Sequence, residues 1–214
     1  MAIVKGGISK QLSGSYGGVT ITQHKNGTTS LKSKNKKSEK PRTTKQLSVQ
    51  QDQSICSAFG RAINGFIRIG YALETKKMGA DNAFNAFSSH VRSVFTGEYP
   101  HRKIDYSKVF VTKGEMNPPE NATVAVTDNG LSFSWDPGVE TDGQHYTDHV
   151  MLMAYFEGKR EAVFKIAGAQ RREGKDYLLI SDELKGEAAE VFISLMTDEQ
   201  DAVSNSVYLG QINW

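Results

Sequence analysis

Between residues 55 and 73 the apolar positions recur at steps of three and four: Ile55, Phe59, Ala62, Ile63, Phe66, Ile69, Gly70 and Leu73. Arg61, Asn64 and Arg68 take the opposite face, which is the signature of an amphipathic helix. Thr43 or Thr44 can cap its start. Gly60, Gly65 and Gly70 each weaken a helix by roughly 1 kcal/mol relative to alanine, so the pattern predicts a close backbone contact or a break near Gly60. A second helix is expected with Asp81 as N-cap, Phe84, Phe87, Val91, Val94 and Phe95 on one face, and Gly97 just past its end. The two apolar faces should pack as an α-hairpin.

After Tyr99-Pro100, Val109-Phe110-Val111-Thr112 reads as a strand and Asn117-Pro118-Pro119 as a linker. The period then shortens to two. Strands are predicted over 123–126, 131–135, 150–156, 162–166, 177–180, 191–196 and 206–209, separated by turn signals such as Asp128-Asn129-Gly130 and Glu173-Gly174-Lys175. Seven short strands in about ninety residues argue for an antiparallel β-sandwich. Without paired cysteines, the fibronectin type III variety fits better than a disulfide-bonded immunoglobulin domain, and Trp135 is the natural core anchor.

Residues 6–18 are rich in glycine, have little to bury and read as irregular backbone. Val19-Thr20-Ile21-Thr22 and Thr28-Thr29-Ser30-Leu31 flank His24-Lys25-Asn26-Gly27. Asn-Gly between β-prone runs signals a hairpin, because both residues tolerate positive φ. The second run dissolves into lysines and ends at Pro41. The chain is therefore expected to be α+β: a glycine-rich ribbon and basic extended arm (1–43), a helical hairpin with a following strand (44–116), and a sandwich (120–214).

The 214 residues carry 26 Lys and Arg against 24 Asp and Glu, a net charge of +2 that hides a division. Residues 1–118 hold 19 basic and 7 acidic residues, whereas 119–214 hold 7 and 17. A single cysteine, Cys56, excludes an intramolecular disulfide and a Cys-based zinc site. It lies near the apolar face of the first helix, where free cysteine acts as a small hydrophobe. No apolar run is long enough to cross a bilayer as a helix. The start of the chain shows no apolar h-region, so synthesis in the cytoplasm without a signal peptide is expected.

Chemistry is sparse. Asp142, His145 and His149 are the one histidine–carboxylate cluster; on a strand, His145 and His149 would share a face and could present two imidazoles to a metal. A polar loop entering an edge strand explains the same residues, and no metal or other cofactor is assigned. The glycines match no phosphate-binding motif, and no nucleophile, zinc-protease or kinase signature is present. A solvent-facing row among Tyr146, Tyr155 and Tyr177 would favour a carbohydrate- or surface-ligand-binding sandwich.

The basic arm is the most informative segment. Lys32, Lys34, Lys36, Lys37, Lys40 and Arg42 could neutralise phosphates in sequence-independent nucleic-acid binding, although no aromatic side chains lie among them to stack on bases. Alternatively, the basic half of one molecule could dock on the acidic half of another, head to tail, in a ring or filament. Ile21 and Leu31 are the expected anchors, and the strand near 19–22 could add to a neighbour's sheet edge.

Five segments carry a resemblance: Gly14-Ser15-Tyr16-Gly17-Gly18-Val19, Thr43-Thr44-Lys45-Gln46-Leu47-Ser48-Val49-Gln50, Ile104-Asp105-Tyr106-Ser107-Lys108-Val109, Leu131-Ser132-Phe133-Ser134-Trp135 and Ser204-Asn205-Ser206-Val207-Tyr208-Leu209-Gly210. Together they resemble an uncharacterised family of roughly two-hundred-residue proteins common in Bacteroidota and phage-like gene neighbourhoods. This chain departs from the family's arginines near Leu31–Ser33 and near Gln51 and Asp52. The resemblance implies a shared architecture, a leaning toward virion or surface-assembly proteins, and no catalytic residues. The expected function is a non-catalytic structural subunit that assembles with its own copies and with neighbouring structural proteins.

Overall fold

The computed structural model describes residues 13–24, 27–34, 40–79, 82–141 and 144–214, and the backbone of residues 2–4. The chain is α+β and divides into two compact units, Met1–Thr43 and Thr44–Trp214. Asn117-Pro118-Pro119 lies inside the second unit.

The second unit begins with four helices, α1 (Thr44–Ala62), α2 (Asn64–Gly70), α3 (Ala72–Met78) and α4 (Ala83–Arg92). The apolar stripe runs unbroken through α1 and α2, and Phe59, Ile63, Phe66 and Ile67 are fully buried. The close contact expected at Gly60 is present: a Cβ there would come within 2.7 Å of the Phe84 ring on α4. The helix breaks three residues later, at Ile63, and again at Tyr71. The α4 cap is Asn82, whose side chain accepts a hydrogen bond from the Asn85 amide at 2.9 Å; Asp81, the expected cap, lies outside the described residues. Phe95, expected on the face of α4, belongs instead to the short pair β5 (Phe95–Thr96) and β6 (Lys103–Ile104).

Val109–Thr112 forms no strand. The Val111 amide donates to Ser206 Oγ at 2.9 Å, and Thr112 Oγ1 donates to the Ser204 carbonyl at 2.8 Å. These partners include side-chain hydroxyls, so no ladder can propagate. Gly70 lets this segment approach α2, since a Cβ there would lie 2.6 Å from Thr112 Cγ2.

All seven strands predicted for the sandwich are found: β7 (Glu120–Thr127), β8 (Gly130–Asp136), β9 (His149–Phe156), β10 (Glu161–Lys165), β11 (Lys175–Leu179), β12 (Ala188–Met196) and β13 (Val207–Asn213). They form two antiparallel sheets ordered β10-β9-β12-β13 and β11-β8-β7. The smaller sheet alternates as expected. Leu131, Phe133, Trp135 and Leu178 point inward, while Ser134, Tyr177 and Leu179 face solvent.

The larger sheet departs from that rule, because β9 is buried on both faces. Val150, Leu152, Ala154 and Phe156 join the core between the sheets, where Trp135 also sits, 5 % exposed. Met151, Met153 and Tyr155 join a second core with the helices. β12 divides its apolar residues in the same way, with Val191, Ile193 and Leu195 inward and Phe192 and Met196 toward the helices. Aromatic rings stitch this outer layer: Phe59 to Tyr155 at 4.5 Å between centroids, Phe59 to Phe87 at 5.4 Å, and Phe66 to Phe164 at 5.8 Å. The unit thus has three layers, helices over a four-stranded sheet over a three-stranded sheet.

Two consequences can be measured. Phe59→Ala should lower the unfolding free energy by about 3–5 kcal/mol, and far-ultraviolet dichroism and tryptophan fluorescence should report one shared urea midpoint. His90 of α4 stacks on Phe110, and its Nε2 accepts from the Phe110 amide at 3.0 Å, a bond that requires an unprotonated nitrogen. Burial, with Lys113 nearby, pushes the His90 pKa below the usual histidine value. The unfolded chain therefore binds more protons in the window just below the unfolded pKa of about 6.5. Stability from this group is complete above that value and falls as pH drops through the folded pKa. Denaturation midpoints should decline on acidification from pH 7 to 5, and His90→Gln should flatten that decline.

Candidate assembly or nucleic-acid interface

The first unit is a four-stranded antiparallel sheet of β1 (Ala2–Val4), β2 (Gly14–Tyr16), β3 (Val19–Gln23) and β4 (Thr29–Ser33), ordered β1-β4-β3-β2. The β3–β4 hairpin forms where Asn-Gly predicts it, with Gly27 at φ +76° and the His24 amide donating to the Thr28 carbonyl at 2.8 Å. Asn26 lies outside the described residues.

The glycine-rich entry, expected to be irregular, supplies a strand. Gly17 adopts φ +59°, and the Gly17-Gly18 turn folds Tyr16 opposite Val19. Glycine reaches this left-handed region without a Cβ penalty, so the same residues that made the segment look mobile permit a tight turn. As a result β3 is not an open strand. Both of its edges are paired, and the sheet ends on β1 and β2.

Register sorts the side chains. Ile21 stands directly opposite Leu31, with Val19 opposite Ser33 and Gln23 opposite Thr29. Because side chains alternate along a strand, Tyr16, Val19, Ile21 and Leu31 share one face. Ser15, Thr20, Thr22, Ser30 and Lys32 share the other, where Ser15 Oγ and Thr20 Oγ1 are 3.1 Å apart. Ile21 and Leu31 are half-buried, Val19 is 38 % exposed and Tyr16 87 %. Lys32, Lys34, Lys40 and Arg42 are exposed, while Lys36 and Lys37 lie outside the described residues. Residues 1–43 hold nine Lys and Arg against one acidic residue, and residues 44–214 hold 17 against 23.

The histidine cluster does not converge. His149 opens β9, with Nδ1 2.9 Å from the Gly168 carbonyl and Nε2 3.1 Å from Asp198. His145 lies 3.6 Å from Glu140, in a turn rather than on the strand, so the two imidazoles share no strand face. Asp142 lies outside the described residues, among which no group of three such side chains could hold a metal ion. The tyrosine row is also absent: Tyr146 and Tyr177 are exposed, but Tyr155 is buried against the helices. Cys56 is buried beside the Ser88 carbonyl, and burial pushes its thiol pKa up, away from the nucleophilic thiolate.

The sequence reading missed Arg171, which is 1 % exposed and paired with buried Asp148 at 3.3 Å. Its Nη2 donates to the Asn117 carbonyl at 3.3 Å, and the Arg171 carbonyl accepts from Trp135 Nε1 at 2.8 Å. Burial pushes the guanidinium pKa down while Asp148 pulls it up. The pair fastens residues 144–148 to the sandwich core. Twenty-three residues separate the partners, and no local motif marks them.

These features define a two-unit α+β protein: a small amphipathic sheet rich in lysine, and a three-layer unit with sandwich-like sheets. The chain belongs to a family of unknown function (DUF6266), whose model matches residues 11–210. The match runs through both units, from the glycine-rich entry to β13. No curated protein and no solved structure matches the chain significantly.

Arg171→Ala, which strands Asp148 in the core, should cost about 3–5 kcal/mol of stability. Urea titration should show a smaller loss when Asp148→Asn is added, because the uncompensated charge is then gone.

Proposed function

We propose that this protein is a non-catalytic structural subunit of a larger oligomeric assembly, associated with a virion (a phage neck, tail or capsid layer) or with a surface. The observation that carries this reading is the apolar face of the N-terminal sheet, with Tyr16 and Val19 exposed and Ile21 and Leu31 only half-buried. Its strands are three to five residues long. Small sheets need a covered hydrophobic face to be stable, and ordering each residue costs about 1–2 kcal/mol. A neighbouring subunit supplies that cover. The basic first unit and the acidic second unit favour contacts between copies, in which charge guides the encounter and apolar side chains hold it. The three-plus-four division of the strands, with no paired cysteines, supports a fibronectin type III-like sandwich as the scaffold. Resemblance to proteins from phage-like gene neighbourhoods supports the virion.

A second reading rests on the opposite face, where Lys32 sits beside Thr20 and Lys34 follows. There the arm binds nucleic acid through phosphates. Binding would weaken steeply with salt and vanish on deletion of residues 24–46.

Mass photometry or sedimentation of the full chain should show oligomers whose assembly slows and weakens as salt rises, and Ile21→Asp should shift them to monomers. A monomer at every ionic strength, with no partner recovered, overturns the assembly reading.

A further inference from the structure

Glu190 of β12 is 4 % exposed, yet among the described residues it has no cationic partner. Its Oε2 accepts from Tyr208 Oη at 2.5 Å and its Oε1 from Gln211 Nε2 at 2.7 Å. Both donors are neutral, so the negative charge is solvated but not balanced. Buried carboxylates are ordinarily paired, because desolvating an ion costs several kcal/mol.

Glu190 lines a cleft of about 530 Å³ between the β6 segment and the outer face of the four-stranded sheet. Glu157 stands exposed at the rim. Tyr106 also lines the cleft and is 7 % exposed, and among the described residues its hydroxyl has no hydrogen-bond partner, although it lies near Glu157 and Glu190. Lys103, a cation of the lining, is exposed and makes no ion pair among the described residues. The site thus offers two carboxylates and a phenol oxygen, and its bonded donors, Tyr208 and Gln211, carry no charge to balance Glu190.

We propose that this cleft receives an alkylammonium group, and that its occupant is a lysine side chain from the N-terminal unit of a neighbouring copy. An ammonium group has three donors and no acceptor, which matches acceptors on Glu190, Glu157 and Tyr106. Its compact charge suits a narrow polar cleft better than the planar fork of arginine. The source follows from charge and composition. Residues 1–43 contain eight lysines and one arginine, and the second unit is net acidic. This assignment rests on the assembly reading and names its receiving site.

The test titrates a synthetic peptide of residues 28–45 into the full chain by calorimetry at low salt. Binding should weaken by about tenfold or more in Glu190→Gln, and measurably in Glu157→Gln, an exposed position with little bearing on folding. Tyr106→Phe, which removes only the hydroxyl, should also weaken it. A peptide with every lysine acetylated should not bind, and Asp201→Asn should leave binding unchanged. No binding, or equal binding to the three cleft variants and the parent, overturns the proposal. Binding of 1,5-diaminopentane without binding of the peptide overturns a neighbouring copy as the source. Salt-dependent oligomers that persist in Glu190→Gln while the peptide fails to bind would sink the cleft and leave the assembly reading intact; a monomer throughout would sink both.

Discussion

Covering both faces of β9 is the requirement on which the larger unit depends. Apart from the Tyr155 hydroxyl, residues 150–156 carry only apolar side chains, and a strand of that kind is stable only between two apolar layers. The three-stranded sheet covers one face with Leu131, Phe133 and Trp135. Nothing in a two-sheet sandwich covers the other. The helices do so, and this explains their details: the stripe through α1 and α2 buries Phe59 and Phe66 against the sheet, and α4 closes on α1 where Gly60 omits a side chain. An isolated helical hairpin would have too small a core, and an isolated sandwich would expose Met151, Met153 and Tyr155. Each element supplies what the other lacks.

The sequence therefore disclosed the elements better than their arrangement. Period two and turn residues located every sandwich strand, and period 3.6 located the helical stripe, because both signals are local. The layering was also written in the chain, in the unbroken run from Val150 to Phe156, but an apolar run does not say what lies on each side. Tyr155 illustrates the loss: a candidate for a solvent-facing row, it is packed on Phe59. At the N-terminus the reverse error occurred. Gly14-Ser15-Tyr16 has almost nothing to bury, so only its pairing with β3 makes it a strand. The facing of Ile21 and Leu31 is a register property, fixed by the Asn-Gly hairpin once its turn is known. Arg171 and Glu190 were beyond reach because their partners come from distant strands and loops.

The charge division changes meaning with the unit boundary. Dividing at residue 118 assigns the basic helices to the basic half, yet those helices share a core with the acidic sandwich. Dividing at residue 43 leaves nine basic residues against one in the first unit and an excess of six acidic residues in the second. The opposition is smaller but better located, since it now separates bodies that are compact in their own right. Fields of this size are screened over about 10 Å at 0.1 M salt, so they select a partner's orientation rather than hold it. In the proposed assembly, adhesion would come from apolar area, and the face of Tyr16, Val19, Ile21 and Leu31 would supply it.

Two buried carboxylates in the second unit make the same point in contrasting ways. Asp148 is matched inside the fold by Arg171, and its loop is thereby tied to the core. Glu190 has comparable burial but only neutral donors, and the hydroxyl of Tyr106 beside it is also unmatched. A fold that balances one buried charge internally has the means to balance another, for instance by a basic residue in place of Gln211. Keeping a neutral donor there leaves the cleft negative and costs stability in the isolated chain. In the proposed assembly that cost would be recovered when a cation arrives from outside, and the folded subunit would be more stable there than alone.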